Sequence, residues 1–109
     1  MKESMTDITA KFAALGDPTR FAIVERLMED GAQAAGSLLD IADISAPAIS
    51  RHLKVLRKSG IIQQTIDKQR RIYSVNPDAM GAINDWVISH EEFWKNSLDR
   101  LAAALEEES

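Results

Sequence analysis

The chain contains no cysteine. That absence excludes disulfides, thiolate metal sites, redox-switch thiols and cysteine nucleophiles together. Long apolar runs are missing too: nothing approaches the roughly 18 residues that a membrane-spanning helix needs. Met1 to Lys11 hold no apolar run, so no secretory signal peptide is expected, and the protein is expected in the cytoplasm. The sequence shows no glycine-rich phosphate loop, no nucleophile beside a base and no carboxylate pair next to a histidine. An enzyme is therefore not expected. Positive charge is scarce on average, with 13 Lys and Arg against 17 Asp and Glu, a net charge of −4. That average alone argues against a nucleic-acid partner.

What is present points the other way. The 109 residues, 45% apolar and 28% charged, suit one folded domain, expected to span 1–109. Their charge is sorted along the chain. Between Ala46 and Val75 stand Arg51, Lys54, Arg57, Lys58, Lys68, Arg70 and Arg71 against the single acid Asp67. That window carries +6 and the remainder −10. Such a patch is either a solvated face or a footprint for a phosphate backbone, and the local structure must decide.

Only three prolines occur, and each lies just inside an expected helix start. The first helix has no proline; Thr6 or Asp7 can cap it, with apolar residues at Ile8, Phe12 and Leu15, and Gly16 stops it. Asp17-Pro18 opens a second helix that buries Ile23, Val24 and Leu27 and ends at Asp30-Gly31. Gln33 to Gly36 reads as a linker. A short third helix is expected over Ser37 to Ala42, capped by Ser37 and burying Leu38 and Ile41. After a turn at Asp43-Ile44, Ser45 caps a fourth helix with Pro47 in its first turn. This helix buries Ile49, Leu53 and Leu56, with Val55 alongside, and Gly60 closes it. Near-alternating β-branched and aromatic residues at Ile62–Ile66 and Arg71–Val75 predict a hairpin around Asp67-Lys68-Gln69-Arg70. Asn76-Pro77 then starts a long last helix to about Leu105, and Glu106 to Glu108 read as a frayed acidic tail. The expected fold is mainly α with a small β-hairpin, in the order α-α-α-α-β-β-α. Two helices joined by a three-residue turn and followed by a hairpin make a winged helix-turn-helix.

The start of the fourth helix suits a DNA groove. Ser45, Ala46, Pro47, Ala48 and Ser50 are small or polar, so the helix can sit deep. Arg51 can match the O6 and N7 acceptors of guanine or hold a phosphate. His52 borders the buried face and is counted among the expected DNA-binding residues, while Lys54 and Lys58 lie farther along and suit phosphate. Lys68, Arg70 and Arg71 at the hairpin can rest on backbone or enter a minor groove. The expected partner is double-stranded DNA, with no membrane and no cofactor. A winged helix that docks an acidic protein is the competing class.

At these residues the sequence resembles the ArsR/SmtB family of winged-helix transcriptional repressors. The resemblance rests on Phe12 to Arg20, with its Gly-Asp-Pro-Thr-Arg turn, on Ile44 to Arg57, on Gly60-Ile61-Ile62 and on Arg70 to Tyr73. It implies a homodimer on a pseudo-palindromic operator, with the first and last helices at the dimer interface. Carried onto this chain, that interface would bury Ile8, Phe12, Leu15, Trp86, Phe93, Trp94, Leu98 and Leu101. Two departures bear on operator preference: Ala46 stands where relatives often have glutamine or serine, and the hairpin tip has no glycine. Many relatives sense metal through cysteines, which are absent here, or through paired Asp and His on the last helix. This helix offers Asp85, His90, Glu91, Glu92 and Asp99, with one histidine and no such pairing. The resemblance thus points to the metal-free branch, with the effector or protein antagonist open; a repressor with a non-standard metal site is its variant.

Overall fold

Each proline start is the start of a helix. A computed structural model describes residues 5–107, with side chains from Ile8 onward. Helix α1 spans Met5–Leu15 and α2 spans Pro18–Asp30. Thr6 and Asp7 already lie inside α1, so neither takes the expected capping place, and their side chains lie outside the described residues. Asp17 caps α2 by accepting the Arg20 N–H at 3.0 Å. Helix α3, Ala46–Lys58, is capped by the Ser45 hydroxyl, which accepts the Ala48 N–H at 3.2 Å. Gly60, at φ +88°, ends it in the left-handed region that only glycine enters freely. Helix α4, Pro77–Ser89, begins on Asn76, whose side chain accepts from Asp78 N at 3.1 Å.

The core gathers Ile23, Val24 and Leu27 of α2 with Ile49, Leu53 and Leu56 of α3. Ala14, Leu38, Ile61, Ile62 and Tyr73 complete it. Each such side chain contributes about 1.5–3 kcal/mol when removed from water. The architecture is mainly helical with a small antiparallel sheet, as a winged helix-turn-helix requires.

Five local expectations are corrected. The segment read as a linker contains a short strand, β1, Gln33–Ala34. It pairs with β3, Arg70–Val75, which also pairs with β2, Ile62–Asp67, so the sheet has three strands in the order β1-β3-β2. The expected third helix is a single 3-10 turn, Ala35–Leu38, with no side-chain cap; Ser37 lies inside it. Val55 is 41% exposed, because the helical period turns it away from the stripe of Ile49, Leu53 and Leu56. The long last helix is broken at His90, and α5 runs Glu91–Glu107. The acidic tail, as far as Glu107, is part of α5.

The break has a local cause. An uninterrupted helix would send the His90 N–H to the Trp86 carbonyl. Here that N–H lies 3.1 Å from the Val87 carbonyl instead. The Trp86 carbonyl is taken by the Ser89 hydroxyl at 2.9 Å and by His90 Nδ1 at 2.8 Å. Side chains that bond back onto the preceding turn compete with the helix ladder in this way. The His90 ring also stacks on Trp86, with centroids 4.4 Å apart.

Beyond the break, α5 has no buried residue. The chain measures 63 × 37 × 22 Å, with a radius of gyration of 18.0 Å. A compact domain of this length would have about 13 Å.

Candidate nucleic-acid interface

Helix α3 presents two faces of opposite character. Ile49, Leu53 and Leu56 point inward and are buried. Ala46, Pro47, Ser50, Arg51, Lys54 and Lys58 are all exposed on the other side. Ser45 is exposed while it caps the helix, and Ala48 is half-buried. Small residues therefore occupy the first turn and cations the later turns. The order follows from the sequence: capping and Pro47 fix where the helix begins, and the 3.6-residue period fixes the faces.

The wing follows directly, and β2 packs against α3. Asp67 pairs with Arg70 across the hairpin, which leaves Lys68 and Gln69 as a two-residue loop. Such loops need a positive φ at their first position, a need glycine usually meets. Here Lys68 takes it, at φ 61°. Lys68, Arg70 and Arg71 are exposed. Ile66, opposite Arg71, is 66% exposed and stands apolar among these cations. Sequence alternation placed it in the strand but could not show that its face is open.

Among the described residues, no carboxylate lies within 4 Å of Arg51, Lys54, Arg57, Lys58, Lys68, Arg70 or Arg71. The contrast is Arg26 on α2, which pairs with Asp40 at 3.2 Å and Asp30 at 3.8 Å. The basic window is thus an unneutralised surface of helix plus wing. His52 is set apart from it: the ring is half-buried, and Nδ1 lies 3.2 Å from a guanidinium nitrogen of Arg20.

Arg20 is a residue that sequence reasoning missed. It stands in the first turn of α2, where the helix dipole disfavours a cation. A cation in that place was the available signal that it serves a partner elsewhere. The same turn holds Asp17 below the ordinary carboxylate value of 3.8, first through the Arg20 backbone N–H and then through the Arg20 charge.

The residues expected at a dimer interface fall on two surfaces. In α1, Ile8 and Leu15 are half-buried and Phe12 is 38% exposed, while Lys11 and Ala14 turn to the protein interior. Phe12 meets Trp86 of α4 edge to face, with centroids 5.4 Å apart. Phe93, Trp94, Leu98 and Leu101 lie on α5 and are exposed, Leu98 at 65%. Leu105, not anticipated for this face, extends the stripe. A groove of about 610 Å³ at the α4–α5 elbow is lined by Val87, Ile88, Trp94 and Leu98, with Glu91 and Lys95.

Among the described residues, no group of three or more His, Asp or Glu side chains is placed to hold a metal ion. No described helix is long and apolar enough to cross a membrane.

Fold and site together define a winged helix-turn-helix regulator of the DNA-binding class. Residues 15–65 match the family described as a helix-turn-helix domain. The HTH-type transcriptional regulator Rv2034 of Mycobacterium tuberculosis is 36% identical over 95 residues, covering 87% of this chain and 85% of that protein. The transcriptional repressor SdpR of Bacillus subtilis is 32% identical over 78 residues, covering 72% and 86%. The crystal structure of an ArsR family transcriptional regulator superimposes with a TM-score of 0.76 at 26% identity, covering 87% of this chain and 97% of that one. The chain belongs to the ArsR/SmtB-like family of winged helix-turn-helix transcriptional regulators.

Proposed function

We propose that this protein is a homodimeric, sequence-specific repressor that binds a pseudo-palindromic operator, acting in the cytoplasm. In this reading the whole chain, 1–109, is one DNA-binding domain with dimerisation helices at both ends. Helix α3 enters the major groove by its small-residue end, Ser45 to Ala48. Arg51 reads a guanine, and Ser50 contacts a base edge or a phosphate. Lys54 and Lys58 hold the backbone. Lys68, Arg70 and Arg71 follow the wing to backbone or an adjacent minor groove.

The observation that carries the reading is the basic surface itself. It spans helix and wing, no carboxylate among the described residues lies within 4 Å of its cations, and it belongs to a chain whose net charge is −4. A solvated face needs no such sorting. Dimerisation rests on α5, which exposes Trp94, Leu98, Leu101 and Leu105 on an arm that the protomer does not cover. Contiguous exposed apolar side chains rimmed by charge mark an interaction surface. Repression is the activity named for the relative in Bacillus subtilis.

Within the family this reading places the chain in the metal-independent branch. The chain has no cysteine, and its two histidines engage different elements, His52 with Arg20 and His90 with Trp86. Native mass spectrometry after zinc exposure is expected to show no stoichiometric metal; tight one-to-one zinc would remove this part of the reading.

Selection from a random DNA pool tests the function directly. The expected product is an inverted repeat with half-site centres about one helical turn apart. Log affinity should fall with log salt at a slope of about −5 to −9, as for roughly 6–10 neutralised phosphates. No enriched motif, or binding that ignores salt, would refute it.

A further inference from the structure

One side chain joins three helices. The Arg20 Nε donates to the Ala14 carbonyl at 2.7 Å, and Nη2 lies 3.4 Å from the Ala13 carbonyl. Both carbonyls belong to the last turn of α1; the Ala13 carbonyl also accepts the Gly16 N–H at 3.1 Å, while the Ala14 carbonyl faces Pro18, which has no N–H to give. The third nitrogen, Nη1, lies 3.2 Å from Nδ1 of His52 on α3. A guanidinium only donates, so Nδ1 must offer its lone pair and the ring proton must sit on Nε2. The Asp17 carboxylate is 3.9 Å from the same nitrogen, too far for a hydrogen bond.

The placement gives this link a use. His52 directly follows Arg51 on α3, and α1 carries Ile8, Phe12 and Leu15 of the proposed dimer face. A turn of α3 about its own axis would move Arg51 sideways in a groove. Resting on the DNA-binding reading above, we propose that Arg20 is a positioning residue for recognition. Through His52 it fixes the rotation of α3 against the end of α1, and so sets how the two recognition helices of a dimer meet their half-sites. Arg20 itself touches no DNA in this scheme.

The first test needs no DNA. In the free protein, nitrogen-15 chemical shifts of the His52 ring should report a proton on Nε2 and an acceptor at Nδ1, and Arg20→Lys should erase that signature. A proton on Nδ1 in the wild type would overturn the link. The second test measures affinity for the selected operator and for unrelated duplex, at a temperature where circular dichroism shows every variant folded. Arg20→Lys and His52→Leu should each weaken operator binding about tenfold, the scale of one lost base contact, and leave unrelated duplex within about twofold. His52→Gln, whose amide oxygen can accept from Arg20, should restore most of the loss. The double variant Arg20→Lys/His52→Leu should be no weaker than either single one.

Equal losses on both duplexes, or additive losses, would mark a merely structural contact and overturn the proposal. So would an altered base preference in His52→Gln with a silent Arg20→Lys, since His52 would then touch DNA itself. Failure of the wild type to select any sequence marks a failure of the DNA-binding function. Normal selection with a silent Arg20→Lys marks a failure of the positioning role alone.

Discussion

Helices α3 and α5 are both amphipathic, yet their apolar faces meet opposite fates. In α3 the face of Ile49, Leu53 and Leu56 is wholly buried against α2 and the sheet. In α5 the stripe of Trp94, Leu98, Leu101 and Leu105 is buried by nothing within the protomer. The polar faces differ as well, α3 showing cations with no carboxylate within 4 Å among the described residues and α5 a mixture of both signs. The first helix has its apolar face complete within one chain and turns its charge outward. The second leaves its apolar face open. Apolar periodicity marks a face that will be buried, but it does not say by which chain.

Breaking α5 should give the largest effect. Leu98→Glu with Leu101→Glu is expected to weaken the proposed dimer at least about 100-fold, because two central apolar anchors become charges. Analytical ultracentrifugation should show monomers that still melt cooperatively. A double variant that remained dimeric would remove α5 from the interface.

The same comparison can be made as stability. Leu53→Ala should cost about 3 kcal/mol in denaturant melts, as buried leucine truncations do. Leu105→Ala, made in the monomeric background, should stay within about 0.5 kcal/mol. Equal costs would mean that α5 is covered within its own protomer.

Smaller effects come from the helix starts. Ser45→Ala should lose about 1 kcal/mol, since the Ala48 N–H loses its acceptor. Asp17 adds a pH dependence. Its folded value lies below 3.8, so its contribution is complete above that pH and disappears as pH falls through the lowered value. Asp17→Asn should remove this part of the acid limb in a stability–pH titration, and an unchanged limb would count against the cap. The smallest change expected is a gain: Lys68→Gly relieves the positive φ at the wing tip and should stabilise by no more than about 1 kcal/mol.

Much of the molecule could be read along the chain. The starts at Asp17, Ser45 and Asn76, the inward faces of α2 and α3, the hairpin and the charge sorting all depend on residues within a few positions of one another. Those are the distances over which caps, turns and helical periods act. The basic face could be read for the same reason: once α3 starts at Ala46, its period decides which side Arg51 and Lys54 occupy.

What escaped depends on partners distant in sequence. β1 is two residues of a polar segment, and it is a strand only because Gln33 and Ala34 meet Tyr73 and Ile72. Helix α1 carries an apolar set at Ile8, Phe12 and Leu15, but packing turned Lys11 and Ala14 to the interior instead. The break at His90 needed Ser89, His90 and Trp86 to settle their hydrogen bonds together. The meeting of His52 Nδ1 with Arg20, itself held by the end of α1, joins residues 32 positions apart. The sequence by itself determined where helices begin, which of their faces are apolar and where positive charge gathers, because these are local consequences of side-chain chemistry. Only the tertiary structure decided which apolar face finds a partner within the chain and which polar group meets which, because those choices depend on several elements competing for one buried volume.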